Sequence, residues 1–275
     1  MIEVQSWIMP ADFSAAEKKA EMQRLALALP LHFCDPVIIG RPPGAAGTFG
    51  PSVFSATVTY LELGGRKIIL TNAHVVRHAQ EERNRDGGLT VFQIPGKTIR
   101  DLDERIIDID DGSDLANLDV SDVTLTPRDV PQEERKPRQF YQPDHWPPDS
   151  VGEQDVVAYA GWPGALRKDS ADGWDIESNP YSMIGMTVTR AMPDRFNVKT
   201  DRSDITLVNA FGRTEEDEKD YDFGGMSGGP VLRRTPLHYE LVGIIQQYNK
   251  TVDQFTFTAA ENIKRDGTLW HNTRR

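Results

Sequence analysis

A heptad late in the chain reads Gly224-Gly225-Met226-Ser227-Gly228-Gly229-Pro230. One serine among four glycines, closed by a proline, suits neither a helix nor a plain strand, because glycine adopts backbone angles that other residues avoid. A nucleophilic serine needs an exposed hydroxyl and bare backbone N–H groups that can bind a developing oxyanion. The heptad therefore indicates a turn that presents a catalytic serine, although a simple glycine-rich turn would read the same way.

A second stretch, far upstream, reads Ile68-Ile69-Leu70-Thr71-Asn72-Ala73-His74-Val75-Val76. An apolar strand runs here into a small-residue turn with one histidine, the side chain most often used as a general base. A lone histidine after a strand is more often a structural residue. Two such stretches in the order histidine then serine are a much sharper signal for nucleophilic catalysis.

The two stretches resemble motifs of a known family. Thr71-Asn72-Ala73-His74 and Gly225-Met226-Ser227-Gly228-Gly229-Pro230 are similar to the histidine and serine motifs of the trypsin-like (chymotrypsin-fold) serine proteases. The nearest likeness is to the bacterial branch that includes the HtrA-type protease domains, and the resemblance covers residues 35 to 262. It implies an all-β fold of two six-stranded antiparallel β-barrels, with an N-terminal helix and few other helices.

Hydrophobic patterning along the chain agrees with that fold. Apolar and polar residues alternate from Val53 to Tyr60, Gly64-Gly65 turns the chain, and Lys67 to Thr71 returns as the second strand of a hairpin. Further short strands separated by turns follow, which is typical of an all-β sandwich or a pair of barrels. One protease domain is expected, built from a helical extension (1–34), a first barrel (35–140) and a second barrel with a C-terminal tail (141–275).

Composition narrows the class of protein. The chain of 275 residues carries 31 basic and 42 acidic side chains, and its net charge of −11 argues against a nucleic-acid partner. Cys34 is the only cysteine, so no intramolecular disulfide can form, which points to a reducing compartment. No apolar run approaches the roughly 18 residues of a membrane span, and residues 1–40 lack the pattern of a secretory signal. We therefore expect a cytoplasmic protein without membrane contact.

The third catalytic residue is less clearly defined. The resemblance implies an aspartate between the two motifs, which fixes the tautomer of the histidine and begins a strand of apolar and small residues. Three aspartates fit this description, namely Asp114, Asp119 and Asp122. The strand that follows runs into the first barrel, so the third position after the aspartate should be buried and apolar.

That buried position separates the three candidates. A polar side chain there costs about 1–3 kcal/mol or more. Asp114 places Asn117 at this position and Asp119 places another aspartate there, whereas Asp122 places Leu125 there. The predicted catalytic triad therefore consists of His74, Asp122 and Ser227. Asp114 is the alternative acid.

The resemblance also implies the surroundings of the serine. The backbone N–H groups of Gly225 and Ser227 should form the oxyanion hole. Tyr221 stands where the trypsin pattern has an aspartate that binds Lys or Arg, and Tyr248 stands where many relatives have a glycine that admits the substrate side chain. Either Asp222 replaces that aspartate and favours cleavage after Lys or Arg, or the two tyrosines narrow or close the pocket.

No metal or cofactor is predicted. Asp108, Asp110 and Asp114 are spaced like ligands of a calcium loop, but Ser113 occupies the sixth position, where that loop needs glycine. The six histidines include no His-Glu-x-x-His pattern of the kind that binds zinc in peptidases.

The predicted activity is that of a serine endopeptidase, which hydrolyses a protein or peptide substrate through an acyl-enzyme on Ser227. Two alternatives stay open. One is an esterase with the same triad, and the other is a protease-fold module that binds a peptide or partner protein and turns over slowly or not at all. A regulatory protein partner is also expected. Met226 stands where trypsin-type zymogens have the aspartate that pairs with a new N-terminus, so that switch cannot operate here.

Overall fold

Two large β-sheets organise the described part of the chain in the computed structural model. The structure describes residues 14–16, 26–41, 53–125, 138–169, 176–178, 180–200, 223–235 and 238–271. Residues 26–31 are helical, and residues 17–25 of the predicted N-terminal helix lie outside the described part.

The first sheet is open and has seven strands, in the order β5-β4-β1-β2-β3-β7-β6. Their bounds are β1 Cys34–Gly40, β2 Phe54–Leu63, β3 Arg66–Thr71, β4 Val91–Ile94, β5 Lys97–Ile99, β6 Ile106–Asp110 and β7 Leu115–Asp119. The predicted hairpin is β2 and β3, which pair antiparallel with Thr59 opposite Leu70. Positive φ angles at Gly64 and Gly65 allow the tight turn between them.

The second sheet is a closed six-stranded barrel in the order β11-β12-β15-β14-β13-β8. These strands are β8 Val156–Gly161, β11 Tyr181–Ala191, β12 Arg195–Lys199, β13 Pro230–Arg234, β14 Tyr239–Asn249 and β15 Gln254–Ala259. A separate small ribbon pairs β9 (Arg167–Asp169) with β10 (Ile176–Ser178). Aromatic rings fill the barrel interior, including the fully buried Tyr159, Phe196, Phe255 and Phe257.

Strand β2 is buried on both faces, which joins the two sheets. Ala56, Val58 and Tyr60 pack into the core of the first sheet. Leu61 and Leu63 pack into a second core with side chains of the barrel, such as Leu232 and Leu241. The Thr residues of this strand are buried as well, so the polar positions of the predicted alternation face the barrel rather than solvent.

A helix follows the histidine stretch where the sequence suggested only a turn. Helix α1 (Ala73–Arg85) contains no glycine or proline, and it buries Val75, Val76 and Ala79 on one side. Gly87 and Gly88 follow it, and Arg83 and Arg85 in its last turn complement the helix dipole. Helix α2 (Leu102–Arg105) and two short 3₁₀ turns are further helical elements of the described residues. None of the described helices is both long and apolar enough to cross a membrane.

The prediction of an all-β fold with two packed β units and few helices is confirmed. The first unit differs in detail, because its described residues form an open seven-stranded sheet instead of a six-stranded barrel. The lone cysteine, Cys34, is a buried free thiol at the start of β1, and burial raises its pKa.

Candidate active site

The imidazole of His74 is held by the carboxylate of Asp114. Nδ1 of His74 lies 2.9 Å from Oδ2 and 3.1 Å from Oδ1 of Asp114. The backbone N–H of His74 also donates to Oδ1, at 3.0 Å. A carboxylate partner favours the proton on Nδ1, which leaves Nε2 as the acceptor. No group in the described residues hydrogen-bonds to Nε2, and the side chain is half exposed.

Asp114 itself adopts a left-handed backbone conformation, with φ of 54°. Positive φ is uncommon outside glycine, although aspartate tolerates it better than most residues. The side chain of Asn72 stabilises this turn because its Nδ2 donates to the carbonyl oxygen and to Oδ2 of Asp114, both at 3.1 Å. The residue two positions before the histidine thus positions the acid that the histidine needs.

The prediction that Asp122 is the acid of this site was wrong. Its carboxylate is exposed and pairs with the guanidinium of Arg105, at 2.6 Å, which holds the pKa of Asp122 below its usual value. The predicted cost of burying Asn117 is offset only in part. Asn117 is fully buried, but its Nδ2 donates to the carbonyl oxygen of Gly267 at 2.6 Å. This bond offsets part of the cost of burial, but Oδ1 of Asn117 has no partner among the described residues, so strand β7 follows Asp114 although some of that cost remains.

Asp110, whose spacing suggested a metal ligand, instead organises the turn that precedes Asp114. Its carboxylate accepts hydrogen bonds from the backbone N–H groups of Gly112 and Ser113 and from the Ser113 hydroxyl. Partial burial acts to raise the pKa of Asp110, but these hydrogen bonds outweigh it and hold the pKa below the ordinary value. The carbonyl oxygen of Ser113 in turn accepts from Thr258 Oγ1 at 2.8 Å. The Asp-x-x-Ser turn pattern could have indicated this role.

The serine turn lies against the strands that lead to His74. The backbone N–H of Thr57 donates to the carbonyl oxygen of Ser227 at 2.9 Å, and Thr59 Oγ1 donates to that of Gly228 at 2.7 Å. Thr71 Oγ1 donates to the carbonyl oxygen of Thr57 at 3.0 Å. Gly228 has φ of 94°, and a Cβ there would lie 2.0 Å from the Thr57 oxygen, so only glycine permits this approach.

The hydroxyl of Ser227 donates to the carbonyl oxygen of Gln246 on β14, at 3.0 Å. The pairing register of β14 against β15 shifts between Ile245 and Gln247, at this point of the strand. Such irregularities re-aim the backbone next to functional sites. Ser227 is therefore within reach of both β14 and the strands before His74.

Two backbone N–H groups of the turn are available to bind an anion. The N–H groups of Met226 and Gly228 donate to Phe223 and Ile245 carbonyl oxygens, at 3.2 and 2.8 Å. Those of Gly225 and Ser227, the predicted oxyanion hole, have no acceptor within the described part of the chain. Gly225 has φ of 98°, and its carbonyl oxygen accepts from Thr57 Oγ1 at 2.9 Å.

Packing rather than an ion pair holds this turn. Met226 is completely buried in the barrel core. It lies so close to Gly161 that a Cβ at Gly161 would be 2.9 Å from the Met226 Cβ. An aspartate at this position would need a buried cation to balance its charge. The expected regulatory partner stays a prediction.

The predicted pocket residues are described only in part. Tyr221 and Asp222 lie outside the described residues. Tyr248 is partly buried, and its ring contacts that of Phe223 with centroids 4.8 Å apart. No group of three or more His, Cys, Asp or Glu side chains that could hold a metal ion occurs among the residues with described positions.

Comparison with known proteins gives similarity only at the level of solved structures. No family model matches the chain, and no curated protein matches it. The Rv3671c protease of M. tuberculosis in its active form is 15% identical, with 88% of this chain and 82% of that chain covered and a TM-score of 0.42. The thermostable serine protease AL20 of an extremophilic microorganism is 10% identical, with coverage of 82% and 89% and a TM-score of 0.39. Human heparin binding protein is 15% identical, with coverage of 84% and 87% and a TM-score of 0.41.

Sequence identities and TM-scores as low as these do not indicate an activity for this chain. The similarity to the HtrA-type branch is supported by the two sequence motifs alone. The fold is defined by the molecule itself. A closed barrel packs against a seven-stranded sheet through the shared strand β2, and the serine turn of the barrel touches the strands before His74. This chain has the fold of the trypsin-like (chymotrypsin-fold) serine proteases.

Proposed function

We propose that the chain is a serine endopeptidase in which Ser227 is the nucleophile, His74 the general base and Asp114 the residue that orients His74. The observation that carries this proposal is the contact of His74 Nδ1 with Asp114 Oδ2, at 2.9 Å. With Nδ1 bound to this carboxylate, Nε2 is the basic nitrogen of the ring and points away from Asp114. No described residue forms a hydrogen bond with Nε2.

Two backbone amides beside the serine, which have no acceptor among the described residues, support the same reaction. When Ser227 Oγ attacks a peptide carbonyl, Nε2 of His74 takes the hydroxyl proton, and the carbonyl oxygen gains negative charge. The N–H groups of Gly225 and Ser227 then bind that oxyanion. Nε2 returns the proton to the leaving amine, the C–N bond breaks, and water repeats the sequence on the acyl-enzyme.

The hydroxyl must turn for this chemistry. In the structure it donates to the Gln246 carbonyl oxygen, and no described bond joins it to His74. One rotation about the Ser227 Cα–Cβ bond redirects it. Catalytic hydrogen bonds are often loose without substrate and tighten in the complex, so the observed rotamer is compatible with catalysis.

A peptide substrate has a docking edge next to the serine. Strand β14 pairs with β15 as far as Asn249, but its other edge pairs with β13 only as far as Ile244. Beyond Gln246 that edge has no strand partner among the described elements. An extended peptide can add to such an edge by main-chain hydrogen bonds, which favours peptides over small esters as substrates.

Labelling with a fluorophosphonate probe tests the nucleophile. Ser227→Ala and His74→Ala should abolish labelling, because the first removes the attacking oxygen and the second removes the base that activates it. Ser150→Ala is the matched control, since Ser150 is exposed and bonds to Glu261, and it should label fully. Unchanged labelling of Ser227→Ala would rule out the proposed nucleophile.

A catalytically weak binding module is the second candidate, and the bond from Ser227 to Gln246 favours it. If that bond persists with substrate present, a peptide would bind along β14 and stay intact. Hydrolysis of a peptide that binds separates the two functions, and comparison with a simple ester of the same acyl group tests the esterase alternative. The cytoplasmic location stays a prediction from the single cysteine.

A further inference from the structure

Two aromatic rings meet between the segment that precedes Ser227 and strand β14. Phe223 lies four residues before the serine on the segment that leads into the glycine turn, and Tyr248 lies on β14. Their ring centroids are 4.8 Å apart at an interplanar angle of 76°, the geometry of an edge-to-face contact. Rings in such contact leave no space between them for another side chain.

A third ring, that of Phe255, packs against both Phe223 and Tyr248. Phe255 of β15 lies 4.8 Å from Tyr248 and 5.2 Å from Phe223, centroid to centroid, and it is fully buried. Tyr181 packs on the far side of Phe223, with centroids 5.0 Å apart. The cluster is therefore continuous with the barrel core and cannot be displaced without disturbing it.

A polar contact fixes the outer ring. Tyr248 Oη donates to Asp253 Oδ1, which also accepts from Thr200 Oγ1 at 2.6 Å. The ring of Tyr248 is held at both ends, by this carboxylate and by Phe223 and Phe255. A side chain held by packing and by a hydrogen bond does not swing aside at small cost.

The position of the cluster relative to the nucleophile determines what it excludes. Ser227 Oγ lies 3.0 Å from the carbonyl oxygen of Gln246, and Tyr248 follows Gln246 by two residues on the same strand. On the proposed function, on which this inference rests, a substrate strand along β14 brings its scissile carbonyl to Ser227. Facing residues of two paired strands direct their side chains to the same face of the sheet, and Gln246 and Tyr248, two residues apart, share one face. The side chain of the residue that supplies the scissile carbonyl therefore lies on the face of Tyr248, against which Phe223 packs.

We propose that Phe223 and Tyr248 restrict cleavage to peptide bonds after glycine, with alanine as the next best residue. Glycine needs no space between the two rings, and alanine needs only a methyl group. Each larger side chain must push a ring out of the aromatic cluster. Pocket contacts of one or more methylene groups discriminate by about 10- to 200-fold, so this closure gives a strong preference.

A peptide library that varies only the residue on the acyl side of the scissile bond tests the proposal. We expect wild-type protein to cleave after glycine or alanine at least about tenfold faster, in kcat/KM, than after leucine, phenylalanine, lysine or arginine. In Tyr248→Gly this preference should shift toward the large apolar residues, because the outer ring is gone. Tyr248→Phe keeps the ring and loses the hydroxyl that bonds to Asp253, so it should retain the preference for small residues.

Fluorophosphonate labelling of the same samples separates the two levels of the proposal. Labelled wild-type protein that cleaves after large residues, or after Lys or Arg, would overturn the restriction and leave the endopeptidase assignment intact. The second of these results would indicate that Asp222 shapes the pocket. Labelled Tyr248→Gly with an unchanged profile would also overturn it, with Phe223→Ala as the second variant if Tyr248→Gly does not fold. Absence of labelling at Ser227 would overturn the endopeptidase proposal itself.

Discussion

Asp114 binds His74 at two points, because its carboxylate accepts both the ring Nδ1–H and the backbone N–H of this one residue. The two contacts fix the imidazole relative to its own main chain. A carboxylate held in this way sets the tautomer as well as the direction of the ring.

Asp114→Asn should lower turnover by several orders of magnitude, about 10⁴-fold where this residue type orients a catalytic histidine. An amide in this place can donate to Nδ1 and stabilise the wrong tautomer. Asp122→Asn is the matched control, since this exposed carboxylate pairs with Arg105 and makes no described contact with His74. Measurement of kcat/KM together with thermal unfolding checks this, and equal loss in both variants would contradict the assignment of Asp114.

Asp110→Asn should lower the rate of labelling at Ser227 by about ten- to a hundredfold, because it loosens the loop that carries Asp114. The rate at saturating probe should fall more than the affinity for the probe. Ser121→Ala is a suitable control, since it removes a hydroxyl from the next turn along the chain. A purely structural role for Asp110 would lower the melting temperature without changing the rate of the remaining folded protein.

Asp110 also predicts a pH dependence of stability. Its pKa is lowered in the folded protein from the ordinary 3.8. Its contribution to the free energy of unfolding is therefore fully present above about pH 4 and is lost as the pH falls through the lower folded value. Melting temperatures of wild type and Asp110→Asn should converge as the pH falls below about 4. A constant difference down to the acid limit would show that Asp110 contributes no pH-dependent stability.

Gly225→Ala should abolish labelling even if the protein remains folded. Its φ of 98° is unfavourable for alanine, and the new Cβ would lie 2.6 Å from the Gly164 backbone nitrogen. Relief of this clash moves the N–H group that would bind the oxyanion, at a cost of about a hundredfold or more in rate. Gly185→Ala is the matched control, with φ of 73° and no atom within 4 Å of the new Cβ. Normal labelling of Gly225→Ala would exclude its N–H from the oxyanion hole.

Thr57→Val should destabilise the serine turn, because the hydroxyl of Thr57 donates to the Gly225 carbonyl oxygen and accepts from the Trp162 N–H, both at 2.9 Å. Loss of a buried hydroxyl with two partners costs about 1–3 kcal/mol in unfolding free energy. Thr189→Val removes an exposed hydroxyl from β11 and should have little effect. Chemical denaturation measures both, and equal stability of the two variants would contradict the role of Thr57 at the junction of the sheets.

The chain sequence predicted those features that depend on local chemistry. The glycine turn around Ser227 and the strand that leads to His74 are recognisable because each needs particular residue types at adjacent positions. Alternation from Val53 to Tyr60 predicted strand β2 for a similar reason, since a strand directs successive side chains to opposite faces. These requirements are satisfied within a few residues, so they are visible without the fold.

The tertiary structure alone decided the features that depend on distant partners. The side-chain nitrogen of the buried Asn117 finds its acceptor at the carbonyl oxygen of Gly267, which lies 150 positions further along the chain. No local pattern shows this distant acceptor, and for this reason the sequence favoured Asp122 over Asp114. The contact of Phe223 with Tyr248 likewise exists only because the segment before the serine packs against β14. A sequence shows which groups need partners, whereas packing determines which partners they find.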